Sequence, residues 1–124
     1  MNEQKCPCQF PIPLCFNDGT DVSPEKLALI FKALDQQFLG YTHLGIRMGC
    51  WEGQTEPMAW IEVDVPLSRV AELREVVYAI GKSLGQKVMY FNAPPSTVEF
   101  ITIEGGPTEA SAGETKMKGK TNVN

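Results

Sequence analysis

The stretch that decides the fold is Tyr41-Thr-His-Leu-Gly-Ile-Arg-Met-Gly-Cys-Trp51, followed by Glu52-Gly-Gln-Thr-Glu-Pro57 and then Met58-Ala-Trp-Ile-Glu-Val-Asp-Val65. Both long runs alternate with period two, which is the period of a β-strand, whose successive side chains point to opposite faces. Two such runs joined by a polar segment with Gly and Pro predict an antiparallel hairpin, with residues 52–57 as its turn. Leu44, Ile46, Met48 and Cys50 then share a face with Ala59, Ile61, Val63 and Val65. Tyr41, His43, Gly45, Arg47, Gly49 and Trp51 share the other with Met58, Trp60, Glu62 and Asp64. Pairing Trp51 with Met58 sets Arg47 opposite Glu62, Trp60 opposite Gly49 and Ile46 opposite Val63. A slip by one residue would exchange both faces, so the pattern specifies its own facing.

The aliphatic face calls for a helical cover, with Ile46 and Ile61 in the core and Cys50 as a small buried hydrophobe. The other face is chemically mixed. A solvated sheet with one cross-strand ion pair, worth about 0.2–1 kcal/mol, accounts for Arg47 and Glu62. Two indoles on one polar face exceed what solubility requires, and they point to a ligand or a second subunit packed there.

Upstream, Phe10, Ile12, Leu14 and Phe16 alternate with Pro11, Pro13 and Cys15. Proline cannot donate to a sheet ladder, so a central strand is expected only from about Leu14. Ser23-Pro24 is a helix start, with Ser23 as N-cap and Pro24 in the first helical position. Leu27, Ile30, Phe31, Leu34 and Phe38 follow at helical spacing, and Gly40 supplies a stop. Downstream, Pro66 and Ser68 open a second helix whose stripe is Val70, Leu73, Val77, Ile80 and Leu84. Gly81 inside it costs about 1 kcal/mol relative to Ala. Lys87–Asn92 and Val98–Ile103 read as two more strands. Three segments result: a flexible N-terminus over 1–9, one α+β domain over 10–103, and a disordered Gly-, Thr- and Lys-rich tail over 104–124.

The order β-α-β-β-α-β-β resembles the ferredoxin-like α+β sandwich, an antiparallel sheet with two helices on one face. The resemblance implies that the Trp-bearing face is left open. In that superfamily such a face commonly serves as a dimer interface or as the wall of a small-molecule pocket, although the fold alone assigns no function.

Composition narrows the classes further. The chain has 124 residues, a net charge of −4 and a pI near 5.0. An acidic chain without a basic cluster argues against nucleic acid and anionic membrane as partners. No apolar run approaches the roughly 20 residues of a membrane span. The start, Met1-Asn-Glu-Gln-Lys-Cys6, has no apolar signal region, so a cytoplasmic location is expected. Cys6-Pro-Cys8 has the wrong spacing for a zinc knuckle, and neither a metal site nor a cofactor is expected. With one His, no His-rich metal centre can form. There is no Walker loop, no dinucleotide fingerprint and no nucleophile elbow.

The constellation left is His43, Arg47, Glu62 and Asp64, with Tyr41, Trp51 and Trp60 around it. His43 is the candidate general base, with Glu62 or Asp64 to orient it and Arg47 to hold an anion. Each of these signals is common in plain sheets, so binding outweighs catalysis. The first expectation is a non-catalytic module that forms a homodimer, or takes a small ligand or protein, through Tyr41, Arg47, Trp51, Trp60 and Glu62. The second is a small cofactor-independent enzyme, similar to the dimeric α+β barrel oxygenases and isomerases, using His43. The third is an accessory protein that inhibits a macromolecular partner.

Overall fold

In the computed structural model, which describes residues 4–93 and 98–104, Glu52 and Gly53 alone turn the hairpin. Their φ angles are 51° and 80°. Two successive positive φ values mark a type I′ turn, whose twist matches that of the flanking strands. The elements are β1 (Lys5–Pro13), α1 (Pro24–Phe38), β2 (Thr42–Trp51), β3 (Gln54–Pro66), a 3-10 turn (Leu67–Arg69), α2 (Val70–Ser83), β4 (Val88–Asn92) and β5 (Val98–Thr102). The strands form one antiparallel sheet in the order β2-β3-β1-β4-β5. The ferredoxin-like α+β architecture is therefore the fold of the chain, with a fifth strand added beside β4.

The tight turn changes the register. Trp51 lies opposite Gln54, not Met58, and Ile46 lies opposite Ala59, not Val63. The displacement is an even number of residues, so most side chains keep the face that alternation assigns them. What changes is position along the hairpin. Ile46 and Met48 fall towards its tip, where they are 55% and 63% exposed, and Cys50 is exposed too. Ile61, further down β3, is fully buried. Burial of Ile46 and Cys50 is thus corrected: the tip of β2 runs beyond the cover of the helices.

A second irregularity is a bulge. His43 pairs with Ile61, whereas Gly45 pairs with Trp60, so Leu44 is an extra residue on β2. Gly45 has φ 116°, a conformation that L side chains rarely adopt. One inserted residue inverts the alternation on its N-terminal side. Thr42 takes the open face beside Glu62, and His43 turns to the helix side.

β1 occupies the middle of the sheet although it contains Pro11 and Pro13. Leu14 N–H donates to Pro57 O at 3.2 Å, so even-numbered residues of this segment direct their N–H to β3. The odd-numbered prolines face β4, where Gln9↔Asn92 supplies the paired position. Neither missing N–H interrupts the β1–β3 ladder. The strand begins at Lys5, inside the segment expected to be flexible, because Cys6 and Cys8 pair with Val65 and Val63. The expected disorder of the tail falls, from residue 105 on, outside the described residues.

The core lies between the sheet and both helices. Phe10, Ile12, Ile61, Val63, Met89 and Ile101 of the sheet meet Leu34 of α1, Leu73 and Val77 of α2, and Leu84 just beyond its end. Ser23 Oγ accepts the Lys26 N–H at 3.1 Å, capping α1 as expected. At its C-terminal end Leu39 is left-handed, with φ 61°, and Gly40 follows it with φ 136°. Gly81 sits where α2 crosses the sheet. A Cβ there would overlap Met89 Cγ and lie 3.1 Å from Ile103 Cδ1. Gly81→Ala should therefore destabilise by about 1–3 kcal/mol through overpacking, against the helix preference for Ala. Chemical denaturation of the variant decides the sign; a gain in stability would contradict this packing.

The helices are also clamped at their junction. Arg69 Nε donates to Glu72 Oε1 at 2.9 Å, and Gln37 Nε2 donates to Glu72 Oε2 at 2.8 Å. The guanidinium stacks 5.0 Å from the Phe38 ring centre. Hydrogen bonds from Arg69 and Gln37 lower the Glu72 carboxyl to about 2 from its ordinary 4.5. A lowered carboxyl pKa gives stability that is present above the ordinary value and lost as pH falls through the folded one. Between about pH 4.5 and 2, the melting temperature of Glu72→Gln should fall less steeply than that of the wild type. Parallel curves would show that the clamp does not contribute.

Candidate functional site

The face away from the helices carries one continuous row across all five strands. Gly45 is opposite Trp60, and Trp60 is opposite Pro11. The Gln9↔Asn92 pairing sets Pro11 beside Tyr90, which is opposite Phe100. Gly45 leaves space at one end, and Pro11 is buried between its aromatic neighbours. Trp60 and Tyr90 meet edge to face at 5.2 Å and 75°. Tyr90 and Phe100 repeat the arrangement at 5.7 Å and 84°. Edge-to-face pairs of this kind add about 0.5–1.5 kcal/mol beyond the area they bury. They also hold the rings at fixed angles, which gives a rigid aromatic platform. Phe100 remains 57% exposed on it.

One end of the platform is polar. Glu62 is opposite Thr42 and Gln9, and accepts the Gln9 Nε2 donor at 2.9 Å. Asp64 is exposed, opposite Pro7. The expected Arg47–Glu62 pair does not form, because the two-residue turn puts Arg47 opposite Met58. Arg47 instead lays its guanidinium carbon 5.5 Å from the centre of the Trp60 ring. Among the described residues it has no ion pair with a carboxylate. The expected cover of Gly49 by Trp60 is replaced by the Met58 side chain.

Tyr41 and His43 are not on this platform. Phe31 of α1 stacks on Tyr41 at 5.3 Å and meets His43 at 6.2 Å. These rings, with Lys32, Asp35 and Gly40, line a wide, shallow depression of about 600 Å³ on the helix side. His43 Nδ1 accepts the Gly45 N–H at 3.1 Å, which leaves Nε2 as the protonated nitrogen of the neutral ring. The proposed partnership of His43 with Glu62 or Asp64 is therefore corrected, since the bulge puts imidazole and carboxylates on opposite faces. Trp51 ends β2 opposite Gln54, and its side chain lies outside the described structure.

Tyr90 and Phe100 are the residues that sequence reasoning missed. Their alternation was visible, but its phase relative to Trp60 depends on the Gln9↔Asn92 pairing. Cys6, Cys8, Cys15 and Cys50 are free thiols, and burial, with the nearby Cys6, Asp64 and Glu62, pushes Cys8 up to about 11. Among the described residues no group of three His, Cys, Asp or Glu side chains could hold a metal ion. None of the described helices is long and apolar enough to cross a membrane.

No protein-family model matches the chain, and no curated protein matches it. Among solved structures, it is similar to a phage SAM lyase in complex with S-methyl-5′-thioadenosine. The TM-score is 0.61 at 12% identity, over 86% of this chain and 96% of that one. It is also similar to a phage SAM lyase in the apo state, with a TM-score of 0.50 at 14% identity, over 84% of this chain and 94% of that one. At these identities the likeness establishes the fold.

Proposed function

We propose that this protein binds S-adenosylmethionine or a related adenosine thioether on its open aromatic face, and cleaves the sulfonium as a lyase. The observation that carries this reading is the likeness of nearly the whole fold to a SAM lyase holding S-methyl-5′-thioadenosine. The residues of the face suit the parts of such a ligand. Trp60 and Tyr90 offer π-surfaces to a purine or to a cationic sulfur. Arg47 offers a guanidinium to a carboxylate, and Glu62 and Asp64 offer acceptors to an ammonium or to ribose hydroxyls.

A sulfonium carries its own activation, because its positive sulfur is a good leaving group. Breaking the bond between sulfur and the aminobutyryl chain leaves the bonding pair on sulfur as a neutral thioether. As that bond breaks, the ligand's own carboxylate oxygen bonds to the same carbon to close a lactone, or water takes a proton from the neighbouring carbon to leave an alkene, with no oxidant required. Such a reaction needs orientation and exclusion of water more than it needs a strong base. His43 is accordingly given no part in it.

The non-catalytic alternative has one observation in its favour. Phe100 lies exposed on the platform and suits cover by a second copy of the chain. In either case a homodimer contact on this face would wall the site. Incubation with S-adenosylmethionine, followed by chromatography, separates the readings. Time-dependent release of S-methyl-5′-thioadenosine, lost in Trp60→Ala, is the expected result. Binding without release would favour the non-catalytic module, and neither binding nor release would overturn the proposal.

A further inference from the structure

Arg47 is an unusual cation for its position. It projects onto the open face from an edge strand, yet its described partner is an aromatic ring and not an acid. In the observed register the closest carboxylate on the open face of β3 is Glu56, opposite Gly49 and diagonal to Arg47, and no ion pair joins the two among the described residues. Glu62 is engaged by Gln9. Asp64 lies further along β3, away from the hairpin tip, opposite Pro7. The guanidinium thus covers one aspect of Trp60, while Tyr90 approaches the same indole edge to face. A ligand that stacks on Trp60 from the β2 side must displace Arg47.

We infer that Arg47 is a displaceable cap on Trp60, and that it selects ligands carrying both a positive centre and a nearby carboxylate. This rests on the proposed binding of S-adenosylmethionine-type molecules at the same face. In the free protein the guanidinium occupies the π-surface. On binding, the cationic sulfur replaces it over the ring, and Arg47 turns to the ligand's carboxylate. Two cations cannot share one ring surface without repulsion, so the exchange requires a carboxylate to receive the guanidinium. The exposed cation–π interaction that breaks in this exchange is weak. The charge-assisted, two-pronged pair that forms in its place is among the stronger hydrogen-bonded arrangements. A neutral thioether supplies no positive centre to replace the cap. An onium compound lacking the carboxylate supplies no destination for it.

The test uses three probes: S-adenosylmethionine, decarboxylated S-adenosylmethionine and S-methyl-5′-thioadenosine. Binding is read by rapid-mixing fluorescence before turnover, in a Trp51→Phe background where Trp60 alone reports. With Arg47 present, S-adenosylmethionine should bind at least about tenfold tighter than either other probe. Arg47→Gln should weaken S-adenosylmethionine by about tenfold or more, and should tighten the decarboxylated probe, whose cationic sulfur meets a vacated ring. The crossing of signs is the signature. If Arg47→Gln shifts all three probes equally, or none, the cap is refuted while the ligand assignment stands. If no probe binds the protein with Arg47 intact, the ligand assignment fails and the cap with it. Arg47 is exposed, so an unchanged melting temperature of the variant serves as the folding control.

Discussion

Replacing Ile61 by alanine should lower the unfolding free energy by about 2–5 kcal/mol, the range for truncating a buried aliphatic side chain. Ile61 is fully buried in β3, with Phe10 opposite it on one side and His43 on the other. It belongs to the cluster that also holds Leu34 and Val77, so both helices lie over the same core. Removing its outer carbons leaves a cavity that a sheet paired on both sides can collapse only in part. Ile46→Ala is the matched control. Ile46 occupies the same face of the hairpin but is 55% exposed, so its loss should stay within about half a kcal/mol. Denaturant melts of the two variants measure the contrast. Equal losses would mean that the hairpin register is not the one described.

The second large effect concerns binding. Trp60→Ala should weaken S-adenosylmethionine or S-methyl-5′-thioadenosine by about 2 kcal/mol or more, a factor of some thirtyfold, as expected of an aromatic hot spot. Trp60 is central to the platform: it touches Arg47 on one side and Tyr90 on the other. Phe100→Ala, at the outer end of the row, should have a smaller effect. His43→Ala should leave affinity unchanged, because the imidazole faces Phe31 across the sheet. Titration calorimetry with S-methyl-5′-thioadenosine, the product in the proposed reaction, compares all three. A large loss in His43→Ala with none in Trp60→Ala would move the site to the depression beside α1.

Much of this was legible in the chain. The strict alternation from Ala59 to Val65 marks the buried side of β3, and those four odd-numbered positions are all buried. The leucine and phenylalanine stripe places the first helix, and the valine, leucine and isoleucine stripe places the second. The register was not legible, because Glu52-Gly53 is a less obvious type I′ turn than Asn-Gly, and the following Gln-Thr-Glu-Pro looks like loop while forming strand. Pro57 is tolerated in β3 where its carbonyl still accepts from Leu14. The bulge at Leu44 was not legible either. It depends on Gly45 adopting a positive φ, and that single insertion divides the predicted constellation between two faces. Trp60, Arg47 and Glu62 stay together on the open side, while Tyr41 and His43 join α1. The prolines misled in the opposite direction. Period-two spacing lets Pro11 and Pro13 direct their missing donors to one neighbour only, and so a proline-bearing segment becomes a central strand.

The most direct test of the open face as the ligand site is a heteronuclear NMR titration of the isotope-labelled protein with S-methyl-5′-thioadenosine. The expected result is saturable shifts at the Trp60 indole N–H, at Arg47 and along Tyr90 and Phe100, with Phe31, Tyr41 and His43 unmoved. Shifts confined to the α1 side, or no saturable shift at any residue, would contradict it.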